Sequence, residues 1–345
     1  MDIENELAKN SREVDRLIED FFSKKVSKEW LAKAFGRHNF DAEAVNSALA
    51  WPVWYILKKG GKRIRPFILL RSCEAAGGSK KTAAEFMPVP ELIHNGTLIA
   101  DDIEDNSEQR RGAPSVHVQF GIDIATNASG FMYYLPALII KKSGLSSSKK
   151  LMLYEIINTE LAKLHIGQAT DIFWHNRFRK ISEDKYFSMC ALKTGTLMRL
   201  SAKMGAVIAG ASEKQVYALG NFAQSLGVAF QIQDDILNLK GTVGKDFGED
   251  ITEGKLSLPA IRAINNAGQK EKERLVEILS RHTKSRKLID EAIGIIRNSG
   301  SIEYSAKTAE RIVKEAWDRL SPLLPESDAK NSLKELSVFA VSRKI

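Results

Sequence analysis

Two acidic clusters, Asp101-Asp102-Ile103-Glu104-Asp105 and Asp234-Asp235-Ile236-Leu237-Asn238, each interrupt an apolar stretch of the chain. The apolar flanks predict buried helices, on which residues i and i+4 share one face. Buried carboxylates are costly unless a cation balances them. Magnesium takes one or two carboxylates and completes its shell with water and substrate phosphates. The pattern therefore predicts that two acidic helices hold a diphosphate through metal ions.

Cationic segments accompany these carboxylates. They are Gly60-Gly61-Lys62-Arg63-Ile64-Arg65-Pro66, Arg110-Arg111-Gly112, Lys193-Thr194-Gly195-Thr196 and the glycine-rich segment 244–259, which contains Lys245 and Lys255. Guanidinium groups bind phosphate bidentately and keep their charge, whereas lysines act as point charges on a leaving diphosphate. Each segment alone also fits a solvated loop or a helix-initiating turn with surface charges. Together they favour two anion sites, one of which needs no metal.

Helical periodicity dominates the elements that must position these residues. Val14, Leu17, Ile18 and Phe21 follow the helical spacing, as do Ile312, Ala316 and Leu320, and no segment shows convincing strand alternation. A helix is expected over Glu91–Asp105, just after Pro88 and Pro90, and a loop is expected over 240–254. No linker divides the chain. We predict an all-α fold with a single domain over residues 1–345, whose motif-bearing core covers about 51–270.

The bulk composition narrows the class of protein. The net charge is +8, from 51 basic and 43 acidic residues, but the basic residues are scattered, so no nucleic-acid partner is expected. Cys73 and Cys190 are far apart and lack metal-ligand spacing, which favours a reducing, cytoplasmic setting. No signal peptide is visible, and the longest apolar run, residues 130–140, is far shorter than the ~20 residues of a membrane span.

Five motifs in this order resemble those of the trans-isoprenyl diphosphate synthases, the polyprenyl synthetase family. They are GGKRIRP, DDIED with RRG, KTG, QIQDDILN and GKDFGEDITEGKLSLP, and they cover about residues 60 to 260. The resemblance implies a helical bundle around a central cavity, usually a homodimer or higher homo-oligomer, with roughly two to three magnesium ions per active site. It implies head-to-tail 1'-4 condensation of isopentenyl diphosphate with dimethylallyl, geranyl or farnesyl diphosphate, and release of diphosphate.

The resemblance also implies roles by position. Isopentenyl diphosphate would bind to Lys62, Arg65, His94 and Arg111. The metal ions would bind to Asp101, Asp102, Asp105 and Asp234, with Asp235 and Asp250 as additional ligands. The allylic diphosphate would contact Arg110, Lys193, Thr194, Gln231, Lys245 and Lys255. The chain departs from the common second motif at Asn238, which replaces an aspartate and keeps an oxygen for the substrate site. This substitution resembles the eukaryotic-type geranylgeranyl diphosphate synthases.

The length of the product depends on residues behind the first cluster. Gly96 and Thr97 lie one helical turn before Asp101, and their small size argues against an early, farnesyl-length stop. Tyr133, Tyr134 and His165 lie in segments that resemble the eukaryotic-type subgroup, and this resemblance implies that they close the pocket deeper down, although each also fits an ordinary core position. The expected product is geranylgeranyl diphosphate, with farnesyl or longer diphosphates as alternatives.

Two other classes of protein share some of these features. A class I terpene cyclase also has an aspartate-rich helix, but it has no use for GGKRIRP and His94. A non-catalytic prenyltransferase subunit would be expected to lose acidic residues, and both clusters are intact.

Overall fold

The computed structural model describes residues 3–176, 181–240 and 248–342. These residues are helical almost throughout, which confirms the predicted all-α fold. The α-helices are α1 Ile3–Phe21, α2 Lys28–Phe35, α3 Ala42–Val45, α4 Trp51–Leu57, α5 Ile64–Ala75, α6 Lys80–Ala84, α7 Pro88–Glu104, α8 Val116–Phe120, α9 Ile122–Tyr134, α10 Ala137–Lys142, α11 Ser147–Asn176, α12 Glu183–Lys193, α13 Gly195–Ala209, α14 Glu213–Lys240, α15 Glu249–Thr252, α16 Leu258–Asn266, α17 Gln269–Ser280, α18 Arg286–Asn298, α19 Ser301–Leu320 and α20 Asp328–Ser342. A π-helical turn, Asn46–Ala50, precedes α4, and a 3-10 turn, Ser321–Leu323, follows α19.

The strands of the described residues form one small hairpin, β1 Gln109–Arg110 with β2 Ala113–Pro114. The sequence analysis finds no convincing strand alternation in the chain, so this hairpin was not predicted. Strands of two residues are too short to show an alternating apolar pattern.

Helix α7, which carries the first acidic cluster, begins at Pro88 rather than after Pro90. The first turn of a helix needs no backbone N–H donor, so both prolines fit inside it. The C-cap residue Asp105 donates its backbone N–H to the carbonyl oxygen of Asp101. The cluster therefore lies on the last turn of α7.

The chain divides into two compact units, Met1–Ile156 with Ser201–Ala211, and Ile157–Leu200 with Ser212–Ile345. The single domain over residues 1–345 stays a prediction. In the first unit, α7 packs along α9, and the Ser129 hydroxyl donates a hydrogen bond of 2.8 Å to the Gly96 carbonyl.

In the second unit, α14, which carries the second acidic cluster, packs along α19, with Phe222 against the edge of Trp317. Gly227 of α14 lies against the backbone of Gly195: a Cβ at Gly227 would come within 2.5 Å of the Gly195 Cα. The glycine of the KTG motif thus lets the start of α13 approach α14 closely.

No helix in the described ranges is long and apolar enough to cross a membrane.

Candidate active site

The three aspartates at the end of α7 differ in burial. Asp102 is buried, whereas Asp101 and Asp105 are half-buried. Two nitrogens of Arg110, Nε at 2.8 Å and Nη2 at 2.5 Å, donate to Asp102 Oδ1, and Arg110 Nη2 lies 3.7 Å from Asp101 Oδ2. Burial raises the pKa of Asp102, an effect that the Arg110 guanidinium opposes. Asp102 Oδ2 has no hydrogen-bond partner among the described residues.

Arg110 and Arg111 lie on the β1–β2 hairpin. Its two-residue turn is formed by Arg111 at φ 54° and Gly112 at φ 73°, and such left-handed turns match the twist of a hairpin. The Arg111 guanidinium donates to the carbonyl oxygen of Gly60. A Cβ at Gly61 would come within 3.1 Å of Arg111 Nη2. The glycine pair therefore leaves room for the arginine.

Arg63, in the middle of GGKRIRP, has a role that the sequence analysis missed. It adopts φ 47° just before α5, and its buried guanidinium donates to Glu91 of α7 at 2.6 Å and to Asp15 of α1 at 3.0 Å. Its flanking residues are more accessible: Lys62 is exposed and Arg65 is half-buried. The buried ion pair thus anchors the segment that presents the predicted substrate-binding cations.

His94 lies on α7 seven residues, or about two helical turns, before Asp101. Burial lowers the pKa of His94 well below its usual value, and the charges of Arg65, Arg111, Arg63 and Arg110 lower it further. Those arginines are therefore close enough to repel an imidazolium. The structure brings three of the four predicted isopentenyl diphosphate ligands, His94, Arg65 and Arg111, into one cationic cluster.

The aspartates of the second cluster show the same difference in burial. Asp234 is half-buried, and Asp235 is buried. Asp235 accepts hydrogen bonds from the Tyr186 hydroxyl at 2.6 Å and from two nitrogens, Gln231 Nε2 at 3.0 Å and the Leu258 backbone N at 3.1 Å. Burial raises the pKa of Asp235 to about 6 even though these three bonds lower it. The Asp235 carboxylate is thus satisfied by protein donors.

Two of the predicted allylic-diphosphate residues of the second unit, Thr194 and Gln231, form a hydrogen-bond network with Asp235. The Thr194 hydroxyl donates to Gln231 Oε1 at 2.9 Å, so both ends of the Gln231 amide are fixed. Lys193 Nζ lies 2.5 Å from Asp171 Oδ2, a partner that sequence reasoning missed. Gly167, one turn before Asp171, allows this approach, because a Cβ there would come within 2.4 Å of the Lys193 backbone N.

Asn238 is buried, and its Oδ1 accepts a hydrogen bond of 3.2 Å from the backbone N of Asp250. Asn238, which departs from the common motif, therefore binds the backbone of the short helix α15, which lies in a range where a loop was predicted. Lys255 forms an ion pair with Glu253. Lys245 lies outside the described residues.

The structure changes the interpretation of the chain-length residues. A Cβ at Gly96 would come within 3.0 Å of Met132 Cβ and 3.1 Å of the Ser129 carbonyl, so the space that Gly96 leaves is occupied by α9. The Thr97 hydroxyl donates to the His94 carbonyl at 2.7 Å. Tyr133 is half-buried beside Gly96.

Two of the three residues expected to close the pocket are exposed in this chain. Tyr134 is 77% exposed, and His165 is also exposed. Neither side chain lies in the interior, so the prediction that they close a buried pocket is corrected. Tyr133 is the remaining candidate.

The carboxylates fit a magnesium ion that is completed by substrate. Among the described residues, no three His, Cys, Asp or Glu side chains are assembled as a metal cage. Asp101 and Asp105 nevertheless offer accessible oxygens one turn apart, and the buried Asp102 Oδ2 lacks a hydrogen-bond partner. Magnesium requires few protein oxygens when water and phosphates fill the rest of its shell.

Residues 46–296 match the family model described as polyprenyl synthetase. The chain is 36% identical over 292 residues to the short chain isoprenyl diphosphate synthase of Methanothermobacter thermautotrophicus, covering 84% of this chain and 88% of that protein. It is similar to the crystal structure of a geranylgeranyl pyrophosphate synthetase from Pyrococcus horikoshii, with a TM-score of 0.86, 30% identity and coverage of 99% and 98%. It is also similar to a polyprenyl synthase from Caulobacter crescentus complexed with calcium and isoprenyl diphosphate, with a TM-score of 0.82, 25% identity and coverage of 99% and 97%.

Proposed function

The chain belongs to the polyprenyl synthetase family, and we propose that it condenses isopentenyl diphosphate with an allylic diphosphate to give mainly geranylgeranyl diphosphate. It is a chain-elongating prenyltransferase. The observation that carries the proposal is the spacing of two anion sites along α7. The His94 arginine cluster and Asp101 lie seven residues apart on one helix, which places them about 10 Å apart along its axis.

We assign one diphosphate to each of these two sites. The arginine cluster would bind isopentenyl diphosphate without metal, because guanidinium groups form bidentate hydrogen bonds to phosphate oxygens. Asp101 and Asp105 would bind magnesium together with the allylic diphosphate, and Asp234 would supply a further carboxylate. The complex of the Caulobacter relative with calcium and isoprenyl diphosphate supports a divalent metal in this family.

The proposed reaction follows from these roles. The allylic C–O bond breaks, and its electron pair leaves with the diphosphate. The isopentenyl double bond then attacks the allylic carbon, and the released diphosphate takes a proton from the isopentenyl unit, which restores a double bond. Bound magnesium would stabilise the charge on the leaving diphosphate, which is usually a large part of such catalysis. Lys193 and Arg110 would add positive charge there, and the arginine cluster would align the attacking double bond.

Product profiling tests the proposal. The purified chain is incubated with magnesium, isopentenyl diphosphate and, in turn, dimethylallyl, geranyl or farnesyl diphosphate, and the products are separated by chromatography. We expect a main product of geranylgeranyl length with each primer and no product without isopentenyl diphosphate. Hydrocarbon formed from geranylgeranyl diphosphate alone would indicate a cyclase. Binding of diphosphate and magnesium without condensation would indicate a non-catalytic subunit.

A homo-oligomer is part of the proposal. In the first unit, Ile122 and Tyr134 at the two ends of α9 are 62% and 77% exposed, and Leu151 and Met152 near the start of α11 are 59% and 41% exposed. Large apolar side chains on a surface are typical of interfaces. Sedimentation analysis of the wild type and of Leu151→Glu would test this, and we expect the variant to shift toward monomer.

A cytoplasmic setting is also proposed, since both cysteines are free and buried, as is common in reducing compartments.

A further inference from the structure

Two side chains outside the motifs hold the arginine hairpin. Lys59 Nζ donates to the carbonyl oxygens of Pro114 at 2.7 Å and Arg110 at 3.4 Å. The Tyr55 hydroxyl donates to the same Pro114 carbonyl at 2.9 Å. Lys59 Nζ also lies 4.1 Å from the centroid of the Tyr55 ring, within range of a cation–π interaction. Both residues therefore bind the backbone of the hairpin rather than its side chains.

The hairpin needs such support because its turn is strained. Arg111 adopts φ 54°, and a left-handed conformation of a residue other than glycine persists only where the surroundings enforce it. Arg110 and Arg111 are also positively charged neighbours that repel Lys59, whereas Asp102 attracts it. Lys59 thus lies among cationic residues and donates hydrogen bonds to two backbone carbonyl oxygens. These contacts distinguish it from a lysine that is solvated at the surface.

The two arginines depend on this support to different extents. Arg110 is held independently by two hydrogen bonds to Asp102. Arg111 donates to the carbonyl oxygen of Gly60, which adjoins Lys59 in the chain. Loosening the hairpin should therefore displace Arg111 more than Arg110.

We propose that Lys59, together with Tyr55, is a positioning residue that holds the hairpin so that Arg111 reaches isopentenyl diphosphate. The inference rests on the proposed function, since it assigns Arg111 to that substrate. It predicts a selective effect on one of the two substrates, which a general structural role does not.

The test compares Lys59→Met with Lys58→Met in the full chain. Lys58 is exposed, and its side chain makes no hydrogen bond or ion pair with the described residues. We expect Lys59→Met to raise KM for isopentenyl diphosphate on the order of tenfold, because small displacements of binding groups have large kinetic effects. KM for geranyl diphosphate should change less than about twofold, and Lys58→Met should match the wild type.

Two further variants make the test specific. Lys59→Arg should restore most of the lost affinity, because a guanidinium retains the donors and the contact with the Tyr55 ring. Tyr55→Phe should raise the same KM by a smaller factor, and its effect should not add fully to that of Lys59→Met, because both act on the Pro114 carbonyl. Tyr55→Phe also provides the test if Lys59→Met fails to fold.

Several outcomes would overturn the inference. They are an unchanged KM for isopentenyl diphosphate in Lys59→Met, an equal rise for both substrates, and a lower melting temperature with wild-type KM values. Failure of the proposed function itself would be distinct, because the wild type would then form no condensation product.

Discussion

Tyr186 donates a hydrogen bond of 2.6 Å to Asp235, and both side chains are buried. The first acidic cluster contains a counterpart, in which Arg110 donates to the buried Asp102. In each cluster, the second aspartate is thus held by a partner within its own unit, while the first stays half-buried and accessible. We expect Asp101 and Asp234 to be the stronger metal ligands and the second aspartates mainly to fix the helix ends.

Replacing Tyr186 with Phe should lower the free energy of unfolding by about 1–3 kcal/mol, because the buried Asp235 carboxylate would lose a donor and keep its desolvation cost. The raised pKa of Asp235, about 6, adds a pH dependence. The Tyr186 bond stabilises the ionised form, so the loss should be larger above pH 6 than below it. Urea denaturation of the variant at about pH 5 and about pH 8 measures both effects.

Tyr154→Phe is the matched control. The Tyr154 hydroxyl donates to the neutral Ala137 carbonyl at 3.1 Å, so its loss should cost less, about 0.5–1.5 kcal/mol, and should not vary over this pH range. Equal losses in the two variants would contradict the special role of the Tyr186 bond.

Much of the fold could be predicted from the sequence, because burial of one helix face imposes the 3.6-residue spacing seen in α1 and α19. The hairpin at 109–114 could not, since it is held by turn geometry and by Lys59 and Tyr55 rather than by an apolar pattern. The start of α7 was misplaced because prolines, which break helix interiors, fit in a first turn.

The site was predictable in its residue types but not in its internal partners. The motifs identified the carboxylates and the arginines. Tyr186 and Asp171 lie 49 and 22 positions from the residues they bind, Asp235 and Lys193, and such contacts leave no spacing signal in one sequence. Gly96 illustrates the same limit: a small residue next to a predicted pocket looks like space for a ligand, but here it allows two helices to touch.

Gly96→Ala should therefore destabilise the protein by about 1–2 kcal/mol. Alanine improves helix propensity by up to ~1 kcal/mol, but overpacking costs about 1–3 kcal/mol. The nearest atoms are Met132 Cβ and the Ser129 carbonyl, which cannot move without shifting α9. Gly130→Ala, on α9 itself, is the control: nothing lies within 4 Å of its Cβ, so it should stabilise. Urea denaturation compares the two, and a gain in stability for both variants would disprove the close contact at Gly96.

The length of the product should depend on Tyr133 and not on Tyr134. Tyr133 is half-buried against Gly96, whereas Tyr134 is 77% exposed. We expect Tyr133→Ala to extend the products beyond geranylgeranyl length and Tyr134→Ala to leave them unchanged. Chromatographic sizing of the products from farnesyl and isopentenyl diphosphates tests this. Unchanged products from Tyr133→Ala would remove Tyr133 from its role, and longer products from Tyr134→Ala would contradict the exclusion of Tyr134.

Binding of isopentenyl diphosphate should be coupled to proton uptake at His94. Burial and the neighbouring arginines keep the pKa of His94 well below 6.5. As the pH falls below about 6.5, the unfolded chain binds a proton there that the folded chain does not, so the free energy of unfolding falls. A bound diphosphate offsets the arginine charges and favours the imidazolium, which raises the pKa again.

Calorimetric titration with isopentenyl diphosphate at about pH 6, in two buffers of different ionisation enthalpy, should therefore show uptake of up to about one proton. His94→Gln should abolish this uptake and should bind almost as well as the wild type at about pH 8, where the wild-type imidazole is neutral. If the binding enthalpy depended on the buffer equally in the wild type and the variant, His94 would not take up a proton when the diphosphate binds. Such a result would contradict its place in the anion site.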